Sequence, residues 1–174
     1  MSIHPTDVIE PLSLATQGRT LSGRLPLASL LRLAPLLRGG DGEVSFELHF
    51  DKDPVGAPFV KGSVQAVVTL QCQRCMEDMA CPLSARVSLG IVRNREAAAQ
   101  LSDELDPLLL SEGDVTVESI VEDELILALP IVAMHEVADC PRGDLARTAD
   151  DTAAGSGRKN PFAVLADLKT QDKP

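Results

Sequence analysis

Two runs of alternating apolar residues, 59–70 and 83–92, flank a short stretch that holds Cys72-Gln73-Arg74-Cys75. In the first run Val64, Ala66, Val68 and Leu70 fall on one side; in the second Leu83, Ala85, Val87, Leu89 and Ile91 do. A period of two is that of a strand with one buried face. Two such strands with a short connection form an antiparallel hairpin, with residues 72–80 as its tip. The same parity puts Cys72 on the inward set of the first strand and Cys81 on that of the second. Cys81 is therefore expected as a small core thiol facing Cys72.

The flanking segments supply partners for this hairpin. Residues 43–50 alternate, with Val44, Phe46, Leu48 and Phe50 inward and Glu43, Ser45, Glu47 and His49 outward. Residues 19–25 read as a shorter strand and 51–58 as a turn. In 26–37, Leu27, Leu30, Leu31 and Ala34 recur at helical spacing, with Pro26 suited to a first helical position and Pro35 limiting the helix. Residues 115–129 carry the strongest helical pattern, with Val117, Ile120, Val121, Leu125 and Ala128 as its stripe. Ser119 and Glu122 have capping-box spacing, and Pro130 stops the helix. Its last turn is apolar all round, so cover on several sides is expected there. Residues 1–18 read as a loosely packed arm and 96–101 as a helical turn. An acidic loop with Pro107 follows that turn, and 130–140 read as a loop returning across the core. The expected fold is α+β: an antiparallel sheet with a long central hairpin, packed by two or three helices.

Residues 1–140 are expected to form one domain. Residues 141–159, rich in Ala, Asp, Gly, Ser and Thr, read as a flexible linker. Residues 160–174 read as a short helical motif: Asn160 caps, Pro161 fits the first turn, and Phe162, Leu165 and Leu168 supply apolar side chains. So short a helix needs a surface to pack on. It either docks back on the domain or folds on a partner.

Charge narrows the functional classes. The formal charge is −10, and residues 96–174 carry seventeen Asp/Glu against six Lys/Arg. Residues 96–124 hold ten acidic residues and no basic one. An acidic half repels phosphate, so broad binding to nucleic acid is disfavoured and a basic protein partner is expected. With four Phe and no Trp or Tyr, the chain also lacks base-stacking platforms. No run of about 18 apolar residues is present, so no membrane span is expected. The N-terminus does not resemble a secretory signal, and a bacterial-type cytoplasm is the expected compartment.

The chemistry lies in the sulfur. There is no phosphate-binding glycine loop, no nucleophile elbow and no His-Glu-x-x-His. Glu122, Asp123 and Glu124 are consecutive and fan around a helix, which argues against a catalytic carboxylate pair. His4 and His49 have no partner pattern and are expected at the surface. Cys72 and Cys75, together with His135 and Cys140, make a Cys3His set suited to tetrahedral zinc at roughly 2.0–2.3 Å. One zinc per chain is the expected cofactor. Arg74, between the first two thiols, favours thiolates. A reducible thiol pair or plain buried cysteines are the rival readings, with a thiol-based redox enzyme or sensor using Cys72 and Cys75 as the alternative function. A thioredoxin-type pair would begin a helix rather than occupy a hairpin tip.

Four pieces in order carry a family resemblance. They are Leu70-Gln71-Cys72-Gln73-Arg74-Cys75; Val121-Glu122-Asp123-Glu124-Leu125-Ile126-Leu127-Ala128-Leu129-Pro130; His135 with Cys140; and the segment that opens with Asn160-Pro161-Phe162. Over roughly residues 60–170 the chain resembles the bacterial YceD family, the large ribosomal RNA subunit accumulation proteins; Cys81 is not part of that pattern. The resemblance implies a role in synthesis, processing or stability of 23S rRNA, with no established enzymatic reaction and no small-molecule substrate. With the charge, it points to a basic ribosomal or assembly protein as partner. RNA would be touched indirectly or through a local patch of Arg86, Arg93 and Arg95.

Overall fold

The computed structural model describes residues 8–110 and 115–142. Its elements in chain order are α1 (Pro11–Thr16), β1 (Thr20–Pro26), two short 3-10 turns (Leu27–Ser29 and Ala34–Leu36), β2 (Glu43–Lys52), β3 (Pro58–Gln71), β4 (Asp78–Val92), α2 (Arg95–Ala98), β5 (Asp106–Leu109) and α3 (Val117–Ala128). The strands form one sheet in the order β1-β2-β3-β4-β5. The first three pairings are antiparallel; β5 runs parallel to β4. The fold is thus α+β with a long central hairpin, as the alternation predicts.

That hairpin is in register from Phe59↔Gly90 to Gln71↔Asp78. Its strands run closer to the tip than the alternation alone suggests, which shortens the turn to residues 72–77. The inward set is buried: Val60, Val64, Val68, Leu83, Val87 and Ile91 join Val44, Leu48 and Phe50 of β2 in one core. Each fully buried aliphatic side chain contributes about 1.5–3 kcal/mol relative to exposure. In β2 the opposite side chains, Glu43, Ser45, Glu47 and His49, are exposed. Gly62 has a steric reason to lack a side chain: a Cβ there would run into the backbone carbonyl of Glu47 on β2.

Against the inner face, α1 packs on β2 and β3, and α3 on β4 and β3. Within the arm expected at 1–18, the described residues are more closely packed than their polar composition suggests, because Pro11 and Ala15 of α1 are buried. Just before it, Ile9 donates its N–H to Val115 O at 2.9 Å.

Four other local expectations are corrected. Residues 26–37 form two 3-10 turns rather than one helix. Pro26 remains paired in β1, and Pro35 sits in the opening turn of the second 3-10 segment, where its missing N–H costs no helical bond. The buried side chains are Leu27, Leu30 and Leu33, spaced by three, while Leu31 is exposed. The acidic loop contains β5, too short and too proline-marked to show alternation. The capping box of α3 is made by Thr116 and Ser119: Ser119 N–H donates to Thr116 Oγ1 at 3.0 Å, and Thr116 N–H to Ser119 Oγ at 3.2 Å. Finally, the last turn of α3 is not covered all round. Leu125 is buried, but Leu127 is 80% exposed. Among the described residues no helix is long and apolar enough to cross a membrane.

The chain divides into a compact unit, Met1–Met134, and a second, His135–Pro174. The linker expected at 141–159 and the motif with Asn160, Pro161, Phe162, Leu165 and Leu168 lie outside the described residues, apart from Pro141 and Arg142.

Candidate metal centre

The tip of the β3–β4 hairpin is a tight knuckle held by its own backbone. Cys72 N–H donates to Glu77 O and Met76 N–H to Cys72 O, each at 2.9 Å. Gln71 closes the outside, its Nε2 donating to Met76 O at 3.0 Å. Met76 adopts φ of 67°. That is left-handed geometry, which costs a residue with a Cβ roughly 1–2 kcal/mol and persists because the surrounding bonds over-determine it. The consequence is chemical: the chain reverses directly after Cys75, and both Cys72 and Cys75 are buried.

A second stretch is tied to this knuckle. Gln73 N–H donates to Ala133 O at 2.8 Å, and Arg74 Nη2 contacts Met134 Sδ at 3.7 Å. The residue next in the chain is His135. The ligand atoms of Cys72, Cys75, His135 and Cys140 lie within 4.8 Å of one another. Three of the four residues are buried and His135 is half-buried. No disulfide links the cysteines.

This set fits a metal by the chemistry of its donors. Three soft thiolates and one imidazole match the Cys3His type of zinc site, and a tetrahedron with Zn–S bonds near 2.3 Å has edges of roughly 3.8 Å. Arg74 adds a positive charge between the first two thiols. Its Nη1 is buried with no hydrogen-bond partner among the described residues, so a neighbouring anion is favoured. The burial of Cys72 and Cys75 is at odds with a thiol pair that must meet a solution oxidant.

Cys81 is placed differently from expectation. It lies on the inward side of β4 but pairs with Val68, not Cys72, because Cys72 has already left β3 for the knuckle. It is half-buried against the core. Burial pushes its thiol pKa up, which keeps it protonated. The three arginines considered as a basic patch, Arg86, Arg93 and Arg95, are all exposed. His49 is at the surface, bonded through Nδ1 to Thr20 Oγ1 at 2.9 Å.

One residue was read as a cap and is a buried anchor. Glu122 on α3 is 7% exposed. Its Oε1 accepts from Arg32 N–H at 2.6 Å and Leu33 N–H at 3.0 Å, and its Oε2 accepts from Arg32 Nε at 2.9 Å. Burial pushes the carboxyl pKa up, but the two backbone N–H groups and the Arg32 guanidinium outweigh it, leaving the pKa below the usual glutamate value. The carboxylate thus satisfies the backbone where the expected helix of 26–37 is replaced by turns. The sequence signal was a glutamate inside the apolar stripe of α3, next to Val121 and Leu125.

The family model for the large ribosomal RNA subunit accumulation protein YceD matches residues 60–169. A protein of Haemophilus influenzae named large ribosomal RNA subunit accumulation protein YceD is 33% identical over 163 residues, covering 92% of this chain and 94% of its own length. No solved structure matches the chain.

Proposed function

The chain belongs to the YceD family, and from that premise we propose that it supports the accumulation of 23S rRNA in the cytoplasm. The observation that carries this reading is the family match over residues 60–169, supported by a relative similar across nearly its whole length. The role is non-enzymatic: the chain acts as a binding factor on a basic ribosomal or assembly protein, and touches RNA indirectly or through Arg86, Arg93 and Arg95. Its charge of −10 supports a basic protein over naked RNA as the primary contact.

In this reading Cys72, Cys75, His135 and Cys140 hold one zinc ion as a structural clasp. The support is the donor set and its closeness. A bound zinc would supply cross-linking, with no chemical step. Asn160, Pro161, Phe162, Leu165 and Leu168 provide a second, linear contact to the partner.

Depletion of the chain tests the premise, with an expected fall in 23S relative to 16S rRNA. Affinity capture with and without ribonuclease tests the partner class. Recovery of basic large-subunit proteins after ribonuclease is expected; recovery of RNA alone would overturn the protein-partner reading. For the clasp, elemental analysis should find about one zinc per chain. Cys72→Ser should lose the metal and lower the melting temperature. A metal-free wild-type protein whose Cys75 oxidises readily would instead favour the thiol-based redox enzyme or sensor.

A further inference from the structure

Between β5 and α3 lies an open groove of about 580 Å³. Its apolar lining includes Leu89 on β4, Leu108 on β5 and the exposed Leu127 on α3; Asp106, Asp123 and Glu124 supply its charge. Among the described residues β5 is the last strand of the sheet, and no further strand closes this side. Arg32 also lines the groove, but its guanidinium is bonded to Asp123 at 2.7 Å and to Glu122 at 2.9 Å. Among the described residues no ion pair reaches Asp106 or Glu124. The carboxyl of Glu124 titrates above its usual value, through burial first and then the negative charges of Asp106 and Asp123.

We propose that this groove binds a segment of a partner protein that carries Lys or Arg beside aliphatic side chains, the cation seated between Asp106 and Glu124 and the aliphatic groups on Leu89, Leu108 and Leu127. The inference rests on the reading of the chain as a factor that acts through a basic protein, and it assigns that contact to one surface. Charge complementarity selects the occupant. A phosphate backbone would bring negative charge onto three carboxylates. A purely apolar helix would bury Asp106 and Glu124 without partners, which is costly. A second copy of this chain would bring its own net negative charge. A Lys or Arg with aliphatic neighbours satisfies both the acids and the exposed leucine.

Fluorescence anisotropy with the full chain tests this. The probes are labelled peptides of about fifteen residues in which Lys/Arg content and Leu content vary independently, with poly(U) RNA as a further probe. Peptides rich in both residue types should bind best. Asp106→Asn with Glu124→Gln should weaken that binding about tenfold, and Leu127→Ser should weaken it by a similar factor. A control pair on the far side of the sheet and at its tip, Glu47→Gln with Glu77→Gln, should leave it unchanged. Circular dichroism of each variant keeps a folding defect apart from a binding defect. Equal binding by the groove variants and wild type would overturn the proposal; so would binding that ignores Lys/Arg content, or poly(U) binding that these variants abolish. The 23S to 16S ratio separates the two levels of inference. If depletion of the chain leaves that ratio unchanged while the peptides bind in the groove, the rRNA reading falls and the groove stands. If depletion lowers the ratio but the groove variants bind as wild type, the groove falls and the rRNA reading stands.

Discussion

Glu122 and Glu124 sit two residues apart on α3 and live in opposite electrostatic worlds. Glu122 faces the turn that follows β1 and meets two backbone N–H groups and a guanidinium. Its carboxyl titrates low despite its burial. Glu124 faces β5 and meets burial, Asp106 and Asp123; its carboxyl titrates high. The same side chain on the same helix is an internal fastener in one place and, among the described residues, an acid that no ion pair reaches in the other. Acidity in this chain is therefore not one property. Part of it holds the fold together, and part is left open to the outside.

The comparison is broken most directly at Glu122. Glu122→Ala leaves one buried and one part-buried N–H group without an acceptor and should cost about 3 kcal/mol in urea denaturation at neutral pH. A loss near zero would mean that water replaces the carboxylate freely. Arg32→Ala should cost less, about 1 kcal/mol, because the guanidinium is half-exposed and the backbone donors remain. An Arg32 effect equal to that of Glu122 would move the weight from the backbone bonds to the ion pair.

Acidity separates the two glutamates by sign. The native pKa of Glu122 is lowered, so its stabilisation is fully present above the unfolded-state value and is lost as pH falls through the native one. The native pKa of Glu124 is raised, so its contribution is favourable at low pH and is lost as pH rises from the unfolded-state value through the native one. Below the unfolded-state glutamate value, Glu122→Gln should therefore flatten the wild-type fall in stability on acidification. From that value up through the native one, Glu124→Gln should remove a loss of stability, as read from melting temperatures across a pH series. At neutral pH, Glu124→Gln is the smallest effect, a gain of roughly 0.5 kcal/mol or less. A clear loss there would show that Glu124 has a cationic partner after all.

The legible parts of this chain were those in which local pattern and tertiary environment agree. The alternation of 59–70 and 83–92 foretold β3 and β4 because each strand keeps one face in the core along most of its length. The closeness of Cys72 and Cys75 to His135 and Cys140 was legible because each pair offers soft or imidazole donors at short spacing, which one metal-binding set would draw together. Residues 26–37 misled because Leu27, Leu30, Leu31 and Ala34 fit a helical period, while Pro26 stays in β1 and the leucines that are buried are Leu27, Leu30 and Leu33. β5 was invisible because four residues with a proline make no period. The anchoring role of Glu122 was hidden for another reason: its partners, Arg32 and Leu33, lie about ninety positions away, and no local window holds both ends. Cys81 was placed on the correct face but opposite the wrong residue, since parity fixes a side and says nothing of where a strand ends.

The span from Arg32 to Glu122 also sets a timetable. The β3–β4 hairpin joins residues close in sequence and can zip from its knuckle outward, whereas the Glu122 contact must close a loop of most of the domain. A fastener of that kind is expected to engage after the rate-limiting crossing, so that Glu122→Ala accelerates unfolding and leaves the refolding rate nearly unchanged. Stopped-flow refolding and unfolding in urea would show this as a shift of one limb alone; a matching slowdown in refolding would place α3 in the folding nucleus. The protein would then owe its persistence in the folded state less to its sheet than to one carboxylate that arrives last and must leave first.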